Sequence, residues 1–174
     1  HSPMQGPDEK AVRTEATPEG DKNSDRSNKE IYKDMVEELD WSVGRILETL
    51  KKYKLDENTF VVFFSDNGPV INNGGSAGGY KGAKGSPWEG GHRVPGICYM
   101  PGTIKEGTTC EQTVMSFDLF PTMLDMADIH YDDSKKKLDG TSLVPLFKGE
   151  NLAPRLLFWG NGNKTISVRD GKWK

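Results

Sequence analysis

Phe60-Val61-Val62-Phe63-Phe64-Ser65-Asp66-Asn67-Gly68 is an apolar run that breaks off into two oxygen-bearing side chains and a glycine. β-Branched and aromatic residues fill Phe60 to Phe64 without a polar interruption. Such a run reads as a strand apolar on both faces, the kind found in a helix-covered parallel sheet. Asp66 and Asn67 then stand at the carboxyl end of that strand, where open α/β sheets place their ligands. An adjacent carboxylate and amide are hard oxygen ligands, suited to Ca²⁺ or Mg²⁺. Taken alone, Asp66-Asn67-Gly68 is more often a turn than a metal site.

Working outward, the segment before the strand predicts a helix over Glu30 to Tyr53. Ile31, Met35, Leu39, Val43, Ile46 and Leu50 recur at spacings of three and four, and Val36 and Leu47 widen the stripe. Ser27 or Asn28 can cap its start. Lys54 to Asn58 is a short turn, so the helix feeds directly into the strand as an αβ unit. The expectation is a central Phe60–Ser65 strand, buried on both faces, with the helix packed on its sheet.

The segment after the strand is rich in glycine. Eleven of the 20 glycines lie between Gly68 and Gly102. Glycine lets backbone approach a ligand or another strand of backbone closely. Lys84 sits in their midst, with Lys81 just before it. A lysine ammonium is a compact charge that can neutralise an anionic ester, although residue type alone makes Lys84 an ordinary loop lysine. Lys84-Gly85-Ser86-Pro87-Trp88-Glu89-Gly90-Gly91-His92-Arg93-Val94-Pro95 closes the loop. Glu89 and Arg93 read as braces of the loop. His92 is either a contact for acidic or sulfated groups of a substrate or a surface histidine.

Ser65-Asp66-Asn67-Gly68, then Lys84-Gly85 and Trp88-Glu89-Gly90-Gly91-x-Arg93-Val94-Pro95, resembles the sulfatase family of the alkaline phosphatase superfamily in order, spacing and strand context. Phe117-Asp118-Leu119-Phe120-Pro121-Thr122 and Leu138-Asp139-Gly140-x-Ser142-Leu143 resemble it as well. The resemblance implies Asp66 and Asn67 as ligands of Ca²⁺, with Mg²⁺ possible, and Lys84 as a sulfate contact. It also implies that the histidine of His1-Ser2-Pro3 contacts the sulfate and protonates the leaving group, work that suits a side chain titrating near neutrality. The implied fold is α/β, part of an alkaline-phosphatase-like sandwich whose mixed, mostly parallel sheet is flanked by helices. The implied nucleophile is a formylglycine made in a Cys/Ser-x-Pro-x-Arg run. Neither Cys98 nor Cys110 lies in such a run, so the nucleophile is expected from an amino-terminal region outside this chain.

The rest of the sequence sets bounds. At 174 residues the chain is long enough for one domain with a sizeable core. A net charge of −3 gives no reason to expect a nucleic-acid partner. No apolar run is long enough to cross a bilayer. The chain opens on histidine and stops at Lys172-Trp173-Lys174 in mid-element, so residues 1–174 read as the C-terminal portion of a sulfatase catalytic domain. Residues 1–28 read as a mobile, solvated loop. Gly96 to Met100 reads as a second strand, Thr113-Val114 as the start of a third, and Leu119 to Ala127 as a helix with Pro121 tolerated near its start. Leu143 to Phe147 reads as a short turn or helix. Residues 156–174 read as the start of a C-terminal hairpin or subdomain, turning at Asn161-Gly162-Asn163. Cys98 and Cys110 allow one disulfide without implying it, and read rather as two free thiols.

The expected partner is a sulfated small molecule or carbohydrate. Periplasmic, secreted or lysosomal placement follows from the resemblance. Two other readings stand beside it: a phosphoester or phosphonate hydrolase of the same superfamily, and a non-catalytic homologue that binds a metal or a partner.

Overall fold

The computed structural model describes residues 27–134, 136–160 and 165–174. The opening residues, including His1, and the Asn161-Gly162-Asn163 turn lie outside these described residues.

Helix α1 spans Asn28–Lys52. Ser27 starts it with a capping box: its Oγ accepts from the Glu30 amide at 3.3 Å, and Glu30 Oε2 accepts from the Ser27 amide at 2.9 Å. Two amides that a helix start leaves unpaired are thereby satisfied. Lys51 and Lys52 lie in the last turn, where the dipole favours cations. Lys54 then takes a left-handed conformation, φ 56°, and turns the chain into a 3-10 turn at Asp56–Asn58.

Strand β1 (Val61–Phe64) pairs with β2 (Gly96–Tyr99), Val61 facing Tyr99 and Phe64 facing Gly96. The pair is antiparallel, which corrects the parallel arrangement expected of the apolar run. The cause lies in the long loop between the strands. It folds back on its own beginning, because the Gly68 amide donates to Gly91 O at 2.8 Å and the Lys84 amide to Pro69 O at 3.1 Å. The chain therefore re-enters from the end at which it left, and a returning strand must run antiparallel. Burial is also less than expected. Val61, Val62 and Phe63 are part-buried and Phe64 is 44% exposed. Helix α1 comes closest to the 3-10 turns that bracket β1, Asp56–Asn58 and Ile71–Asn73.

Beyond β2, Thr113 and Val114 are not in a strand. A 3-10 turn at Ser116–Asp118 leads into α3 (Leu119–Met126), and α4 (Val144–Phe147) follows with Pro145 in its first turn. Helix α3 begins at Leu119, as Pro121 requires. The loop between these helices is fixed by a buried polar knot. Asp118 is fully buried and accepts from the Met115 amide at 2.7 Å, the Thr141 amide at 3.0 Å, and Arg155 through Nη1 at 2.6 Å and Nη2 at 2.5 Å. Thr122 Oγ1 donates to Asp118 O at 2.6 Å and accepts from the Leu143 amide at 2.9 Å. The chain ends in the expected hairpin, β3 (Leu156–Gly160) antiparallel to β4 (Ile166–Asp170), with a further bridge between Asp170 and Trp173. Leu143 and Leu157 are the buried apolar side chains among the described residues.

Candidate active site

Asp66 and Asn67 occupy the turn that ends β1. Ser65 Oγ donates to Asn67 O at 2.9 Å, and Asn67 Nδ2 donates to Asp66 Oδ2 at 2.5 Å. The carboxylate and amide thus lie side by side. Asp66 is exposed and Asn67 part-buried. Two hard oxygen donors on neighbouring residues suit Ca²⁺ or Mg²⁺, but a Ca²⁺ shell takes roughly six to eight oxygens. Among the described residues no group of three or more His, Cys, Asp and Glu gathers around one point. The pair is chemically fit to be part of a cation site and is too small to be all of one.

Lys84 belongs to the same local structure. Its amide bonds to Pro69 O, just past the Asp-Asn turn. The short helix α2 (Glu89–His92) lies between the two segments. The Gly90 amide donates to Lys81 O at 2.8 Å on one side, and Gly91 O accepts from Gly68 on the other. These approaches explain the paired glycines: a Cβ on Gly90 would run into Gly82 O, and one on Gly91 into Ser86 O. Of the two lysines in the loop, Lys81 is occupied, its Nζ lying 3.8 Å from the centre of the Trp88 ring. Lys84 is exposed and makes no ion pair among the described residues. It is the cation of the pair left available to an anion.

Glu89 braces the loop, as its sequence context suggests, but its partners are side chains from the C-terminal hairpin. Its Oε1 accepts from Arg169 Nη2 at 2.7 Å and from Lys174 Nζ at 3.0 Å. Burial alone would raise the pKa of Glu89; the hydrogen bond and charge of Lys174 and the charge of Arg169 outweigh it and hold the carboxyl below its ordinary 4.5. Arg93 Nη1 lies 3.8 Å from Glu89 Oε2, with its guanidinium over the Tyr80 ring.

The structure sets His92 against the hairpin. Its ring meets Trp159 with centroids 4.4 Å apart, and its Nε2 lies 2.6 Å from Lys174 Nζ. Burial, and then the charge of Lys174, lower its pKa below the ordinary 6.5. The part played by Arg169 and Lys174 had no signal in the sequence, since 80 and 85 residues separate them from Glu89. Cys98 and Cys110 are both free. Burial raises the pKa of the Cys98 thiol, which makes it a poor nucleophile.

The Asp-Asn turn that ends β1 and the glycine loop that carries Lys84 are thus joined by backbone hydrogen bonds into one local structure, which places the chain in a class. Comparison with known proteins gives the class its name. The family model described as Sulfatase matches residues 1–129, and the chain belongs to the sulfatase family. It is 39% identical over 147 residues to N-acetylgalactosamine-6-sulfatase of Canis lupus familiaris, a match covering 82% of this chain and 28% of that protein. It is 38% identical over 134 residues to steryl-sulfatase of Homo sapiens, covering 72% of this chain and 23% of that protein. The crystal structure of Ps i-CgsB in complex with k-i-k-neocarrahexaose superimposes with a TM-score of 0.75 at 32% identity, over 87% of this chain and 34% of that one. The 174 residues therefore span a minor part of the length of the relatives they match.

Proposed function

We propose that the protein containing this chain hydrolyses sulfate esters, and that these 174 residues supply part of its active site. The observation that carries this reading is the pair of backbone hydrogen bonds, Gly68 to Gly91 and Lys84 to Pro69, that joins the Asp-Asn turn and the lysine loop into one structure. Asp66 and Asn67 would offer a carboxylate and an amide oxygen to Ca²⁺, or to Mg²⁺. When bound by these two side chains, such a cation would supply Lewis-acid polarisation of the ester oxygens. Lys84 receives the sulfate as a positive charge that offsets the charge on the ester oxygens. His1 is assigned the proton for the leaving alcohol. The nucleophile, a formylglycine, is assigned to a region outside these residues. A sulfated small molecule or carbohydrate is the substrate class that goes with this reading. So does a periplasmic, secreted or lysosomal location. No helix among the described residues is long and apolar enough to cross a membrane.

The test uses the full-length protein and an aryl sulfate. Lys84→Ala lowers kcat/KM by about 100-fold or more and leaves the thermal midpoint near its original value, because the ammonium is exposed. Lys84→Arg recovers only part of the rate, since a planar fork fits a point-charge site poorly. Asp66→Ala abolishes turnover and weakens Ca²⁺ binding in calorimetry. Near-original turnover in Lys84→Ala, or faster turnover of the matching aryl phosphate, would overturn the assignment.

A further inference from the structure

Helix α2 is one turn long. A single turn does not hold itself in water, so its position is set by its neighbours. On one side they are backbone: Lys81 O bonds the Gly90 amide, and the Gly68 amide bonds Gly91 O. On the other side they are side chains of the C-terminal hairpin and the residues just after it. Arg169 and Lys174 converge on one carboxylate oxygen of Glu89. Trp159 lies against His92 and donates through Nε1 to Pro87 O at 3.4 Å, and Lys174 Nζ lies 4.8 Å from the Trp159 ring centre. The side chains of Arg169 and Lys174 are 17% and 19% exposed and that of Glu89 is 26% exposed, so water screens the cluster only in part.

We propose that Glu89, gripped by Arg169 and Lys174, is a positioning residue that sets the distance between Lys84 and the Asp66-Asn67 pair. The inference rests on the sulfatase reading above. The linkage is continuous. The hairpin fixes Glu89, and Glu89 fixes α2. The α2 backbone then fixes the Gly68 turn, which carries Asp66 and Asn67, and the Lys81–Gly82 segment, which leads into Lys84. The two sides must hold one anion between them. A shift of either by about 1 Å costs on the order of 100-fold in rate. The hairpin, which brings no residue of its own to the proposed chemistry, thereby decides the geometry of the site.

The test again takes the full-length protein. Steady-state turnover of an aryl sulfate, inhibition by inorganic sulfate and thermal midpoint are measured for Glu89→Gln, Arg169→Ala and Arg169→Lys. The expected result is a rise of about tenfold or more in both KM and the sulfate inhibition constant for Glu89→Gln and Arg169→Ala, with partial recovery in Arg169→Lys. Ser142→Ala removes a remote contact to Asp125 and leaves both constants unchanged. If Glu89→Gln does not fold, Arg169→Ala, which keeps Lys174 on the carboxylate, carries the same test. Variants that melt earlier yet keep the original KM and sulfate inhibition constant would overturn the proposal and leave Glu89 as a staple for the hairpin. That outcome is separable from failure of the sulfatase reading, in which Lys84→Ala would also keep its turnover.

Discussion

Asp118 shows how one side chain can hold distant segments in register. Its carboxylate has no exposure to solvent and takes four hydrogen bonds, from the amides of Met115 and Thr141 and from both ends of the Arg155 guanidinium. Two stretches that carry the family resemblance, around Phe117–Thr122 and Leu138–Leu143, meet at this knot. Their hydrogen bonds fix the chain at this point. Burying a charge is costly unless every lone pair is met, and here the bidentate guanidinium does much of that. Removing the carboxylate would strand Arg155, itself 20% exposed, beside two unpaired amides. Asp118→Ala is therefore expected to destabilise the protein by about 3–5 kcal/mol, measured by urea unfolding. Arg155→Lys, which keeps the charge but loses the fork, should cost less. A loss of less than about 1 kcal/mol in Asp118→Ala, the scale of an exposed pair, would mean that the knot is incidental.

At the scale of elements, the contact between the β3–β4 hairpin and α2 carries a pH dependence with a definite sign. His92 has its pKa lowered, so its stabilising contribution is present above the ordinary 6.5 and is lost as pH falls from there through the folded value. The physical event is protonation of an imidazole that faces Lys174 at 2.6 Å, which replaces attraction by repulsion. Glu89 also has a lowered pKa, so its contribution is complete above 4.5 and is lost at lower pH. Thermal midpoints followed downward from pH 8 should drop in two stages. The first stage should vanish in His92→Gln and the second in Glu89→Gln. A midpoint that stays flat between neutrality and pH 4.5 would show that His92 does not sit beside Lys174 in solution. The elements themselves were largely legible in the sequence. Periodicity marked α1, β1, β2, α3 and the hairpin to within a residue or two, because those patterns are local. Pairing was not legible. The direction of β2 depends on how a long loop closes on Gly68, and Glu89's partners are 80 and 85 residues away. The Asp-Asn turn and Lys84 were readable as a candidate site only through the order and spacing of several motifs together. His92 was readable as a substrate contact or a surface residue, and its packing on Trp159 depends on the tertiary fold.

At the scale of the whole molecule, many large apolar side chains among the described residues are exposed and only Leu143 and Leu157 are buried. Along α1, Met35, Val36, Leu39 and Ile46 are 37–56% exposed, although their spacing is that of a buried stripe. Phe64 and Ile97 are open on the β1–β2 pair, and Phe158 and Ile166 on the hairpin. Scattered exposed apolar residues are ordinary, but four along one helical stripe make a surface that water disfavours. Each side chain of this size gains about 1.5–3 kcal/mol when fully covered. The matched relatives are several times longer than this chain, and their further residues are the natural cover for such a stripe. Residues 1–174 produced as a separate polypeptide should therefore self-associate and bind a hydrophobic dye. The paired substitution Leu39→Asp and Ile46→Asp places two charges seven residues apart on the same face of α1, and should lower both light scattering and dye fluorescence. The same pair in the full-length protein should have the opposite consequence. Charges forced under a covering layer would cost several kcal/mol and lower the thermal midpoint. If the substitutions leave scattering of the short chain unchanged and the full-length protein equally stable, the α1 stripe faces solvent in both. In that case its helical periodicity has no packing partner to explain it.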